Sequence, residues 1–348
     1  MLETRLNEET RKLQFTGGST FIISLPISWI RQNDLKRGSS IKLREEEGGL
    51  LSIIPTDTNM QQKRLDEATI KVTPKDSSDS IIRKTVSAYL VGYNIIHIKA
   101  ESQRQLSANQ RHDLKDFSRI MLVGTEIVTD TPQELTLQVL LSYPELSVQS
   151  ALRRTSIIAA SMHRDAITAL KGLDPQLAKE VITTDNEVDR FNLYVVRQLK
   201  TAIQNPKLIR EIGLQNARDC LGYRLVTKSV ERTADHAAKI AENVLQLRKQ
   251  LEPEIILKLE TMSNTAISMF ETAMETLFKQ DFNLAESIFE KTKDVISIEK
   301  EAVISSQKME VEEASYIRLI IESIRRTAEY ATDIAEIVLN LTVESILT

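Results

Sequence analysis

The chain reads as a multidomain protein with a small β-rich end, an α/β module and a long all-α bundle of two three-helix repeats. Three observations predict this. Residues 224–245, RLVTKSVERTADHAAKIAENVL, recur 94 positions later at 318–339 as RLIIESIRRTAEYATDIAEIVL, with 12 of 22 positions identical. A repeat of this length is one supersecondary unit used twice. All ten glycines lie at or before Gly222, and the 126 residues after it hold one proline, Pro253, so that stretch is nearly all helix. Near the N-terminus, short β-branched runs are instead broken by Gly and Pro, as strands and turns are.

At 348 residues the chain exceeds one ordinary core, which predicts two or three domains. A composition of 41% hydrophobic and 27% charged residues is globular. No apolar run approaches the ~20 residues needed to span a bilayer. The opening MLETRLNEETRK is charged and lacks an apolar segment, so no signal peptide is expected. One cysteine, Cys220, excludes an internal disulfide framework and suits a reducing cytosol. It is read as a small buried residue, and the expected location is cytoplasmic. Net charge is −4, but residues 11–44 carry seven basic residues against Asp34 alone, a net of +6. That asymmetry favours a polyanion partner for the N-terminal end.

The predicted boundaries are 8–57, 66–145, 147–250 and 251–348. In the first segment KLQFT is a strand before the Gly17-Gly18 turn, and STFIISLP is a second strand stopping at Pro26. ISWIRQND is a short helix, and SIKLREE with GLLSIIP form a hairpin around Gly48-Gly49. So small a segment usually needs another copy to close a core, which predicts a homodimer. The second segment reads βαβαββ: ATIKV, SIIRKTVSAYLVGY with Ile82, Val86, Tyr89 and Leu90 on one side, NIIHIKA, SANQRHDLKDFSRIML with Ser107 as N-cap, EIVTD and ELTLQVLL. It carries no nucleotide fingerprint and reads as a spacer. In the third and fourth, two helices precede each repeat helix, and Leu177-Ala178 correspond to Leu284-Ala285. Three antiparallel helices twice make a six-helix bundle.

RKLQFTGGSTFIISLPISWIRQNDLKRGSSIKLREEEGGLLSIIP resembles a domain of the AbrB/SpoVT/MazE type, through Gly18-Ser19, Leu25-Pro26, Trp29 and Gly38. The resemblance implies a β-barrel of swapped hairpins from two chains, and DNA binding by the dimer. A dimer doubles the surface carrying Arg11, Lys12, Arg31, Lys36 and Arg37, which would bind phosphates in a salt-dependent way. Ser19 and Thr20 at the glycine turn are candidate donors to phosphate oxygens. The competing reading is that these cations only solubilise a dimerisation barrel.

The helical part resembles the PhoU family. Its hallmark third helix, E-R-x-x-D-H-A-x-x-I-A-E, stands at Glu231 to Glu242, and a second-helix D-x-x-x-D at Asp185 and Asp189. The combination with the N-terminal domain resembles the archaeal form of these phosphate-uptake regulators. Carboxylates at i and i+4 facing a second such pair gather oxygen ligands that suit hard cations. The resemblance implies a multinuclear metal cluster (iron, manganese, zinc or magnesium) on Asp185, Asp189, Glu231 and Asp235. The competing reading is a solvated acidic edge balanced by Arg232 and Lys239.

The second copy departs from this pattern. Arg325 stands for Glu231, Glu329 for Asp235 and Asp333 for Lys239, while Glu290 and Asp294 are out of register. A cation at Arg325 repels a metal, so a salt-bridged face is expected there. His236 becomes Tyr330, which marks a packing position, and His163, His97 and His112 have no metal-ligand spacing. No motif argues for catalysis, so no enzyme is expected.

The reading is a phosphate-responsive regulator of phosphate uptake that binds promoter DNA as a dimer and senses a metal or partner through its bundle. The alternative is an accessory acting on a phosphate transporter or its sensor kinase by protein contact, with DNA irrelevant. A metalloenzyme is a third reading, for which the sequence offers no acid–base partner.

Overall fold

The computed structural model describes residues 9–18, 20–46, 49–56, 67–101, 104–141 and 146–347. The chain divides into two compact units, Met1–Asp66 and Glu67–Thr348.

In the first unit Gly17 and Gly18 both take positive φ (+62° and +81°), which only glycine adopts freely. They turn β1 (Gln14–Thr16) back onto β2 (Thr20–Ile22), with Phe15 opposite Phe21 and the rings 5.2 Å apart. β2 is shorter than the predicted STFIISLP strand. After Ile22 the chain has no partner among the described residues, and a strand is defined by its ladder. Pro26 then starts α1 (Ile27–Gln32), whose Asn33 end is tied by Asn33 Nδ2 donating to the Trp29 carbonyl at 2.8 Å. β3 (Ile41–Glu46) and β4 (Leu50–Pro55) form a separate antiparallel hairpin with Leu43 opposite Ile53. Ser19 and Gly48 lie outside the described residues.

No described residue of this unit is buried. Leu13, Phe15, Phe21, Ile27, Leu43 and Leu50 are each more than 60% exposed. Alternation gives these hairpins apolar faces, but none of the unit's described residues covers them.

The second unit opens with β5 (Glu67–Val72), α2 (Ser78–Val91), β6 (Ile95–Ala100), α3 (Ala108–Met121), β7 (Thr125–Asp130) and β8 (Glu134–Val139). The sheet order is β5-β6-β8-β7, parallel between β5 and β6 and antiparallel elsewhere. Ser107 caps α3 in a reciprocal capping box with Gln110, satisfying two otherwise orphan N–H groups. Tyr89 of the predicted α2 face is buried, but with Ile81 and Thr85, one step round from Ile82, Val86 and Leu90, which are half-buried. The module is no detached spacer, because α2 and α3 pack on the bundle helix α5.

The bundle comprises α4 (Val148–Gly172), α5 (Pro175–Ile203), a short α6 (Pro206–Glu211), α7 (Asp219–Val244), α8 (Pro253–Lys279), α9 (Phe282–Ser306) and α10 (Val311–Thr342). The stripe Val226, Val230, Ala234, Ala237, Ala241 and Val244 is fully buried. Its small residues let α7 approach α4, α5 and α10 closely.

The duplication extends beyond the repeat helix. Asp174 and Asp281, 107 residues apart, both cap the second helix of their repeat, and Leu173 and Gln280 both end the first in the left-handed conformation. The third helices are offset by only 94. The 13-residue difference is taken up by the longer α5 and by the α6 connection, an element the sequence reading missed. Among the described residues no helix is long and apolar enough to cross a membrane.

Candidate metal centre and basic surface

α5 and α7 pack side by side, and their acidic edges meet. Asp189, Glu231 and Asp235 each bring one carboxylate oxygen within 4.8 Å of the others. Asp185 lies one turn before Asp189 on α5, and its Oδ1 is buried with no hydrogen-bond partner. All four residues expected from the resemblance thus line one edge.

The electrostatics there are unresolved by the protein itself. Burial, followed by repulsion from Asp189, Asp235, Glu231 and Glu242, pushes the Asp185 carboxyl up to about 7. Burial, Glu231 and Asp235 push Asp189 up to about 6, against the pull of Lys228. Asp235 is raised by burial and Glu231, and Lys228, Lys239 and Arg232 oppose the rise. Glu231 is only 9% exposed and accepts from Lys228 Nζ at 2.6 Å on Oε1 and also on Oε2. Sequence reading overlooked Lys228, although its i, i+3 spacing to Glu231 is visible there.

An oxygen-only donor set with one orphaned oxygen and two carboxyls held far above their ordinary range is short of positive charge. That is the donor chemistry of a hard divalent cation, or of iron or manganese bridged by carboxylates. The four residues fit such a group. A single ammonium, on Lys228, reaches only Glu231 among them.

In the second repeat, the 107-residue offset puts Thr292 and Ile296 at the positions of Asp185 and Asp189. Glu290 and Asp294 point to solvent. Arg325 Nε lies 3.2 Å from Glu299 Oε1, and the same guanidinium pairs with Glu329 and reaches Glu322 at 4.0 Å. Arg326 joins Glu329 at 2.9 Å. A guanidinium therefore stands where the first repeat leaves carboxylates uncompensated, and this edge does not fit a metal. Glu299 as the cross-helix partner was not anticipated. Replacing Arg325 with Gln leaves the half-buried Glu299 without its ion-pair partner, while Arg326 still holds Glu329, and is expected to cost about 1–2 kcal/mol near neutral pH. Urea unfolding of the parent and the variant near neutral pH measures the loss.

The duplicated His236 and Tyr330 meet across the α7–α10 contact, with Tyr330 Oη 3.3 Å from His236 Nε2 and the rings 5.7 Å apart. Burial and the flanking Lys239, Arg326, Arg232 and Arg325 push His236 down to about 4. His163 is fully buried against Ser263 Oγ at 2.9 Å and is likewise held neutral by burial, near 4. Both are packing residues. His97 bonds Glu134 and Thr136 on the sheet, and Cys220 is buried.

On the N-terminal unit, Arg11 and Lys12 precede β1, Thr20 begins β2, Arg31 lies in the last turn of α1, and Lys36 and Arg37 form the next turn. All are exposed. The Leu35 N–H bond to the Ile30 carbonyl, at 3.0 Å, folds that turn back beside α1. Arg31, Lys36 and Arg37 are thus adjacent along the chain's path, whereas Arg11 pairs with Glu9. Ser19 lies outside the described residues.

The PhoU domain model matches residues 152–244 and 259–338, and the model described as "Antidote-toxin recognition MazE, bacterial antitoxin" matches residues 14–61. A "Phosphate-specific transport system accessory protein PhoU homolog" of Clostridium acetobutylicum is 22% identical over 201 residues, covering 54% of this chain and 88% of that one. A namesake of Borreliella burgdorferi is 26% identical over 194 residues, covering 50% and 81%. Crystal structures of PhoU from Streptococcus pneumoniae (20% identity, TM-score 0.50) and Pseudomonas aeruginosa (21%, TM-score 0.51) overlay on 58% and 57% of this chain and on 96% of each of theirs. At such identities these structures speak for the fold alone. The PhoU model's two matches fall on the bundle, which holds the duplicated helices, the small-residue stripe and the acidic edge. The chain is a PhoU-like protein, with two PhoU domains in tandem behind an α/β module and a MazE-type N-terminal segment.

Proposed function

We propose that this chain regulates phosphate uptake as a homodimer, binding promoter DNA of phosphate-uptake genes through its N-terminal segment. In this reading the acidic edge of the first repeat holds a metal or meets a partner protein, and its state biases DNA binding. The observation that carries the reading is the union, in one chain, of a net +6 MazE-type segment and a PhoU tandem. Asp185, Asp189, Glu231 and Asp235 would hold the metal. When bound, it would supply the positive charge those carboxylates lack. Arg11, Lys12, Ser19, Thr20, Arg31, Lys36 and Arg37 would face the phosphates.

The relatives' name, accessory protein, favours a second reading: contact with transporter subunits or a sensor kinase, the N-terminal segment serving only to dimerise. Salt titration of binding to promoter DNA separates the two. Each neutralised phosphate contributes about −0.9 to the slope of log affinity against log salt. Replacing Arg31, Lys36 and Arg37 with Gln removes up to six contacts per dimer, so the slope should become shallower by about 5. An unchanged slope, or no DNA binding at low salt with metal supplied, moves the function to the accessory reading.

A further inference from the structure

Arg197 on α5 is fully buried, the largest side chain in the described structure to be so. Among the described residues no carboxylate pairs with it. Its Nη1 donates to the carbonyls of Tyr89 and Tyr93, the latter at 2.9 Å. Its Nη2 donates to the Gly92 carbonyl at 3.2 Å and to Asn94 Oδ1 at 2.9 Å. The guanidinium also lies 4.8 Å from the centre of the Tyr89 ring. Every one of these acceptors belongs to the end of α2 and the turn into β6, in the α/β module. The negative end of the α2 dipole and the Tyr89 π face therefore balance a buried charge. They do so only while α5 and the module keep this geometry, because a buried cation without its acceptors is strongly disfavoured. Gly92 sits close enough to Thr201 that an added Cβ would lie 3.1 Å from its Oγ1, and Leu193 packs against the module's core.

Leu193, Arg197 and Thr201 are spaced by four, and so are Asp185 and Asp189 before them. All five residues form one i, i+4 ridge of a single helix. Arg197 stands eight positions after Asp189, about 12 Å of helix rise. A rigid rod thus joins the acidic edge to the clamp, and a small rotation or slide of α5 at one end must be met at the other.

We propose that α5 is a transmission element, carrying the charge state of the acidic edge to the α/β module through Arg197. The inference rests on the acidic edge taking up a cation. With a cation held by Asp185, Asp189, Glu231 and Asp235, α5 would pack more firmly on α7 and the Arg197 clamp would tighten in step.

The test is amide hydrogen exchange of the full chain, stripped by chelation and then given manganese(II) alone. In the parent, exchange is expected to slow several-fold both around residues 185–189 and 231–235 and at residues 89–94. In Arg197→Leu only the first response is expected. Arg197→Lys keeps the charge but loses the planar fork; it should also lose the response at 89–94, and it carries the test where the leucine variant is unstable. Protection at the acidic edge alone in the parent overturns the transmission and leaves the cation site standing. So does a response at 89–94 that survives both substitutions. No protection at either place overturns the cation site and the transmission together.

Discussion

Stripped of metal at pH 7.5, the variant combining Asp185→Asn, Asp189→Asn, Glu231→Gln and Asp235→Asn is expected to be more stable than the parent and to take up no metal. The sign follows from the raised carboxyls. Asp185 and Asp189 ordinarily titrate at 3.8, whereas burial and mutual repulsion carry them to about 7 and about 6 in the folded chain. Between those values the folded state holds more protons than the unfolded one. Stability contributed by these groups is therefore full below pH 4 and lost as pH rises through 6 and 7. The two groups are coupled and partly in solvent, so the raw shifts overstate the penalty, which we place at about 2 kcal/mol at pH 7.5 after discounting for screening. A bound cation reverses the trend, since it favours the ionised carboxylates and its stabilisation grows with pH. Elemental analysis of the parent and variant, with thermal unfolding at pH 5 and 7.5 in chelator and in manganese(II), measures each part. Equal metal content in both proteins would sink the ligand assignment, and a parent that gains stability from pH 5 to 7.5 in chelator would contradict the sign.

The second large effect belongs to the N-terminal unit. Phe21 is 66% exposed and Leu43 62% exposed, on hairpins without a single buried described residue. If a second copy covers them, Phe21→Asp or Leu43→Asp removes two buried apolar side chains per dimer and places a carboxylate in each gap. Fully burying one such side chain is worth about 1.5–3 kcal/mol. Each variant should therefore weaken the dimer by roughly 3–6 kcal/mol, between about a hundredfold and ten-thousandfold in Kd. Sedimentation equilibrium of the full chain should find a dimer in the parent and a monomer in either variant at the same micromolar concentration. A parent that sediments as a monomer would remove the dimer from the proposal, and unchanged dimers in both variants would place the contact elsewhere.

Much of this was written in local pattern. Steps of three and four at Val226, Val230, Ala234, Ala237, Ala241 and Val244 name the buried face of α7 because helical periodicity is local. Ser107 and Asp174 cap their helices because a cap needs only the next two or three residues. Gly17 and Gly18 mark a turn because positive φ excludes other side chains at little distance from the chain itself. The acidic residues were legible as an edge for the same reason, with Asp185 and Asp189 one turn apart, as are Glu231 and Asp235.

Pairing across elements was decided by packing. That Glu299 reaches Arg325 from α9, beside the α10 neighbours Glu322 and Glu329, depends on how two helices cross, which no spacing encodes. The ladder of β2 ends at Ile22 because no described residue pairs with the chain beyond it, though the sequence runs on in strand composition. Arg197 is the clearest case. In sequence it is an arginine among apolar residues on a long helix, indistinguishable from a surface cation. Only the end of α2, brought to it from about a hundred residues away, turns it into a buried charge with four acceptors. The sequence by itself determined the repeats, the faces and the composition of the acidic edge, since these follow from nearest-neighbour geometry along a helix or strand. The tertiary structure alone decided which charges are compensated, because a charge's partner is set by position in space, at low dielectric, and not by order in the chain.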